Sequence, residues 1–332
     1  MDPERLAGVE EARRLVEEKE APSVQVGFFD LEGILRGRHL STRKFLAALD
    51  GGFGVSDVVL GWDLDDQLYD HVRFTGWHTG YPDAPLRILP DTVRNLPSEE
   101  EGLFFLCEFA PPADALCPRG LLGQAVDRAR DLGFEPFSAL AYQFSVFEES
   151  PHSVREKGYR SLKPCTPGNS GYCAVRASAN SEFHRELLRL GSAMDFELES
   201  LSAGSGPGVL EASLAVDRTL VAADKAALFK TFAKVAALRR GLMASFMAKW
   251  SPDHPGHGGH VHLSLRDMRG RPVFHDPEEP HGMSETMRHF LGGCQKLMPE
   301  FLALMAPTIN SYSRLVPGPW APTNATWGRD NR

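Results

Sequence analysis

Cysteine is scarce and unpatterned in this chain: Cys107, Cys117, Cys165, Cys173 and Cys294 are odd in number and form no C-x-x-C pair. That argues against a disulfide framework and against a zinc knuckle, and leaves the thiols as buried packing groups. No apolar run approaches the length of a membrane span, and the segment from Met1 to Glu20 is too charged for a secretory signal. A cytoplasmic protein with no membrane partner is expected. Basic runs are absent too, and 36 Lys and Arg against 44 Asp and Glu give a formal net charge of -8, so nucleic acid is not the expected partner. There is no internal repeat and no low-complexity tract. What is present, 332 residues of which 42% are hydrophobic, suffices for a sizeable core and for two domains in place of one.

Local patterns divide the chain. Pro3 opens a helix in which Leu6, Val9, Ala12 and Val16 recur at helical spacing. Val24, Val26 and Phe28 alternate, Asp30 to Gly33 supplies a turn, and Ile34 to His39 returns, which is a hairpin pattern. Phe53 to Pro97 is expected to be loops between short strands, and Leu103 to Phe109 an apolar strand. Pro111-Pro112 then marks the domain boundary. Beyond it, helices are expected from Pro118 to Leu132, capped by Gly133, from Ser181 to Leu190, from Asp224 to Arg240, and from Ser284 onward. Strands are expected over 137–147, 196–201, 209–215 and 242–249.

Three strands share an apolar back and a polar front. Residues 137–147 put Leu140, Tyr142, Phe144 and Val146 on one face and Ala139, Ala141, Gln143 and Ser145 on the other. Glu211 points with Val209 and Ser213. In Pro255-Gly256-His257-Gly258-Gly259-His260-Val261-His262-Leu263-Ser264-Leu265, alternation sets His260, His262 and Ser264 against Val261, Leu263 and Leu265, whose face should bury. The pattern is that of a curved antiparallel sheet with helices behind it and a site in front, an α+β fold. Histidines at i, i+2 behind a glycine-rich turn suit metal or phosphate binding; a polar strand face with satisfied histidines is the alternative.

A second stretch, Asn310-Ser311-Tyr312-Ser313-Arg314 running through Trp320-Ala321-Pro322 to Arg332, combines with the histidine strand. Together they resemble glutamine synthetase, in particular the branch that carries Trp-Ala-Pro and includes lengsin, from about residue 20 to the end. The resemblance implies a small β-grasp-like N-terminal domain over 1–111 and a catalytic-type domain over 112–332, incomplete at its C-terminus. It also implies ATP, magnesium or manganese, a glutamate-like substrate and a homo-oligomeric ring. The family joins a carboxylate to ammonia or an amine through a γ-glutamyl phosphate, with divalent metals held by carboxylates and a histidine.

By that resemblance Gly256 and Arg314 are substrate-binding, Ser264 and Arg332 nucleotide-binding, and Glu211 and His260 metal-binding. Trp320 stands where ammonia-using members often place a catalytic glutamate. The pattern departs elsewhere. The paired glutamates of the family's Glu-x-Glu strand fall on Ala141 and Gln143, and the His-x-Glu pair before Gly206-Pro207-Gly208 falls on Ser202 and Gly204. Three carboxylates are therefore replaced. Three functions stay open: a non-catalytic assembly protein, which the losses favour; an ATP-dependent carboxylate-amine ligase with an altered acceptor; and a metal-free small-molecule binder.

Overall fold

The computed structural model describes residues 3–96, 102–169, 171–318 and 321–329. The chain divides into two compact units, residues 1–128 with 189–196, and residues 129–188 with 197–332. No helix among the described residues is long and apolar enough to cross a membrane.

In the first unit, α1 (Pro3–Glu18) buries Val9, Ala12 and Val16, the face its spacing marks out, while Leu6 stays exposed. The hairpin forms from β1 (Ser23–Phe29) and β2 (Leu35–Ser41), followed by α2 (Thr42–Gly51), β3 (Phe53–Ser56), β4 (Asp83–Ile88), the short β5 (Arg94–Asn95) and β6 (Leu103–Phe109). The sheet order is β2-β1-β6-β4-β3, with β5 also on β6, and β1 runs parallel to β6. All seven residues of β6 are buried, because a central strand is covered on both faces. Phe105 packs on Phe45 of α2 at 4.8 Å and Phe109 on Phe28 at 5.1 Å. Each such ring contributes roughly 1.5–3 kcal/mol of burial.

The second unit is built on the long strand β7 (Phe134–Phe147), reached from α3 (Pro118–Asp131) through Gly133, whose φ of 87° only glycine adopts without strain. After α4 (Pro151–Glu156), α5 (Ala174–Ala179) and α6 (Ser181–Ala193) come β8 (Leu198–Ala203), β9 (Val209–Leu214) and β10 (Asp217–Arg218). Then follow α7 (Thr219–Arg239), β11 (Met243–Ser245), β12 (Gly259–Asp267), α8 (Glu285–Leu297), α9 (Leu302–Met305) and α10 (Ile309–Arg314). The sheet is antiparallel throughout. One side of β7 carries β9, with β8 beyond it, and β10; the other carries β12 and β11. Helix α7 backs it: Phe229 meets Tyr142 and Phe144 at 6.2 and 6.0 Å, and Phe246 stacks on Phe144 at 4.8 Å.

Three expectations change. Helix α7 starts at Thr219, five residues before Asp224, because Ala222 also buries and carries the apolar face upstream of Asp224. The strand expected over 242–249 stops at Ser245, where the chain bends and the Met247 carbonyl turns to accept from His257. The Val261 and Leu263 face of β12 does not bury: these side chains are 63% and 41% exposed. Along Val261 and Leu263 their strand pairs with β7, with a further bridge only at its far end, Arg266 to Pro272, among the described residues, and α7 packs further along β7, on Tyr142 and Phe144.

Candidate substrate and metal site

Strand register assembles the front of the second sheet from segments far apart in sequence. One row runs from Ser202 on β8 through Glu211 on β9 to Gln143 on β7; the next runs Ser200, Ser213, Ala141, His260. Glu211 and His260 therefore share a face. Gln143 pairs with Gly258 by backbone, its N–H donating to the Gly258 carbonyl at 3.0 Å. The Gln143 carboxamide makes two further bonds, donating from Nε2 to Glu211 Oε2 at 2.9 Å and accepting from the Gly258 N–H at 2.9 Å.

The glycine turn is shaped by Arg314, at the end of α10. A Cβ built on Gly256 would lie 2.8 and 2.9 Å from Arg314 Cγ and Cδ and 2.5 Å from the Ala248 carbonyl, so only glycine fits. A Cβ on Gly258 would lie 3.2 Å from Arg314 Nη2, 3.5 Å from Gln143 Oε1 and 3.6 Å from His260 Nε2. Arg314, Gln143 and His260 thus converge on one glycine. The Arg314 Nε is buried with no hydrogen-bond partner among the described residues, and burial lowers the guanidinium pKa. A cation so placed is suited to a carboxylate, which a guanidinium fork holds through two bonds.

Not every residue named from sequence joins this cluster. Ser264 lies on the same face of β12 but four residues beyond His260, roughly 13 Å along the strand at about 3.3 Å per residue. It is exposed. His262 is exposed, its ring 6.3 Å from that of His260, and neither ring has a hydrogen-bond partner among the described residues. Trp320 and Arg332 lie outside the described residues. Glu149, close in sequence to the end of β7, is engaged elsewhere: bonds from Lys157, Ser153 and the Lys163 N–H hold its carboxyl down at about 2.

His257 supports the turn from beneath. Its Nδ1 donates to the Met247 carbonyl at 2.7 Å, so Nε2 is left to accept from the Ser145 hydroxyl at 2.8 Å. Burial first, and the Arg314 charge after it, push the imidazole down to about 4. Both nitrogens are satisfied in the neutral form, which excludes it as a free ligand. The linkage sign follows: between about pH 6.5 and 4 the unfolded chain binds a proton that the folded chain refuses, so stability falls as pH falls through that window. Acidification from pH 7 to 5 should cost wild type roughly 2 kcal/mol more than it costs His257→Gln, read by urea unfolding at the two pH values. Equal losses in the two proteins would contradict this account.

A divalent metal does not fit the residues present. Magnesium and manganese need several oxygen ligands, whereas the cluster around Gly258 offers, among the described residues, one carboxylate, Glu211, already bonded to an amide, and the His260 imidazole. Among the described residues no group of three or more His, Cys, Asp or Glu side chains is placed to hold an ion. Position 204 is closed as well, since a Cβ on Gly204 would sit 2.6 Å from Val209 Cγ1. Gln143 and His257 are the residues whose roles the sequence did not disclose. The sequence signals were the polar face of β7 and a replaced glutamate for Gln143, and for His257 its place in the glycine-rich turn.

Comparison with known proteins agrees with this architecture. The family described as "Glutamine synthetase, catalytic domain" matches residues 115–332. Type-1 glutamine synthetase 2 of Dictyostelium discoideum is 40% identical over 316 residues, 94% of this chain and 60% of that protein. Glutamate–isopropylamine ligase of a Pseudomonas species is 35% identical over 340 residues, 100% of this chain and 73% of that protein. A solved GmaS/ADP complex superimposes with a TM-score of 0.78 at 21% identity, over 92% of this chain and 67% of its own, and shares the fold. The chain thus spans 60% of the first of these relatives. The matched segment contains every residue of the front just described, and the chain belongs to the glutamine synthetase family.

Proposed function

We propose that this chain is a glutamine-synthetase-like protein without ligase chemistry, whose role is in assembly. The observation that carries the reading is the Gln143 to Glu211 bond, which places an amide where the family resemblance calls for a metal-ligating carboxylate and occupies the carboxylate that remains. The finer kinship with the Trp-Ala-Pro branch that includes lengsin belongs to the same proposal. So do a cytoplasmic, ring-forming protein, a domain boundary at 111/112 and a β-grasp-like first domain, the last supported by the parallel β1–β6 pair beside the β1–β2 hairpin. In family rings the sites form between neighbouring subunits, so interfaces can outlast chemistry. Light scattering should give a mass several times the 36.6 kDa of one chain. A monomer at micromolar concentration would count against the assembly role.

A second reading rests on Arg314. Its buried Nε, without a hydrogen-bond partner among the described residues, favours metal-free binding of a carboxylate-bearing small molecule, with Gly256 giving the close approach. Under the ligase reading, Ser264 and Arg332 would attend the phosphates of ATP. That reading draws support from the isopropylamine ligase relative and is opposed by the missing carboxylates.

A further inference from the structure

Gln143 holds three parts of the second unit at once. Its backbone belongs to β7, its Nε2 is bonded to Glu211 on β9, and its Oε1 takes the N–H of Gly258 in the segment leading to β12. An amide does both with neutral atoms, since its NH2 end donates to the carboxylate while its carbonyl end accepts from the N–H. A glutamate at 143 could still accept from Gly258. Its second oxygen would then face Glu211 across hydrogen-bond distance, and two carboxylates so close need a cation or a shared proton between them. Around this point stand Glu211, His260 and the Arg314 guanidinium, with His257 neutral beneath the turn. Arg314 lies against the glycine, and among the described residues no hydrogen bond or ion pair joins it to Gln143 or Glu211.

We propose that Gln143 is a positioning residue that replaces a metal ion, an internal clasp that holds Glu211 and the Gly258 turn in place and so keeps the Arg314 pocket formed without any cation. The clasp rests on the metal-free reading of the site. The two are separable: turnover tests that reading, and order at Gly258 tests the clasp.

Hydrogen exchange followed by mass spectrometry on the whole chain reads the Gly258 amide through peptides covering 254–262, with peptides from β1 and β6 as the control for intact folding. Wild type should be protected in the presence of EDTA, and millimolar manganese should change nothing. Gln143→Ala should exchange about tenfold faster at 254–262, with or without manganese, the effect of losing one buried hydrogen bond. Gln143→Glu should exchange fast in EDTA and slow down when manganese is added. Glu211→Gln, which keeps an acceptor for Nε2, should stay protected and gives a readout should the alanine variant fail to fold. The clasp is overturned if Gln143→Ala exchanges at the wild-type rate, if manganese slows exchange in wild type, or if Glu211→Gln loses protection.

Discussion

Supplied with glutamate, ATP, manganese or magnesium, and ammonia or isopropylamine, the purified protein should release phosphate no faster than without the amine. Phosphoryl transfer to a carboxylate gathers negative charge on the transferred group and the attacking oxygen, and little covalent chemistry is left for the protein to perform. Catalysis is therefore electrostatic. Removing one well-placed electrostatic group typically costs about 3–4 kcal/mol, or roughly a hundred- to a thousandfold in rate. By the family resemblance the metal-holding carboxylates fall on positions that here are Ala141, Gln143 and Gly204, and Glu211 is bonded to an amide. Losing the metals these carboxylates would have held compounds the deficit, and Arg314 alone does not replace them. A phosphate-release assay measures this directly; robust turnover that requires a divalent metal would remove the proposed function.

The second large effect concerns putting the carboxylates back. Ala141→Glu with Gln143→Glu should produce manganese binding, because both positions lie on the front of β7 beside Glu211 and His260. It should also lower stability in EDTA, since Ala141 is buried and unpaired charge there is costly. Adding Gly204→Glu should not complete the site. The new Cβ would lie 2.6 Å from Cγ1 of Val209, a buried β-branched side chain with little freedom to turn away. Overpacking of this kind typically costs about 1–3 kcal/mol, before the cost of the charge. The triple variant should thus unfold at lower temperature than the double variant in EDTA and gain no further manganese affinity. Thermal melts with and without manganese check both statements. A triple variant that is as stable as wild type and binds metal more tightly than the double variant would show that Val209 yields.

Much of this fold was legible because its elements bury one face. The α1 stripe at Val9, Ala12 and Val16, the hairpin, and the apolar run of β6 follow from periodicities that the core then uses. The same logic misled at β12. Alternation gives Val261 and Leu263 a common face but cannot say that the strand sits on an edge, with α7 packed on another part of β7. At the site, sequence gave Gln143 as a lost glutamate and nothing more. Its bond to Glu211 spans 68 residues and its bond to Gly258 spans 115, and only the register of β7 with β9 and β12 brings those partners within reach. His257 was hidden for a related reason: what fixes it is the Met247 carbonyl, and backbone acceptors leave no mark in a sequence.

Calorimetric titration of manganese into the protein, alone and in the presence of ATP, tests the metal-free site most directly. With Glu211 bonded to Gln143 and no second carboxylate beside it among the described residues, the expected result at micromolar protein is no saturable heat without ATP and, with ATP, only the heat of manganese chelation by ATP seen in a protein-free blank. Stoichiometric micromolar binding that tightens when ATP is present would contradict the account, because it would mean that ligands outside these positions hold the metal.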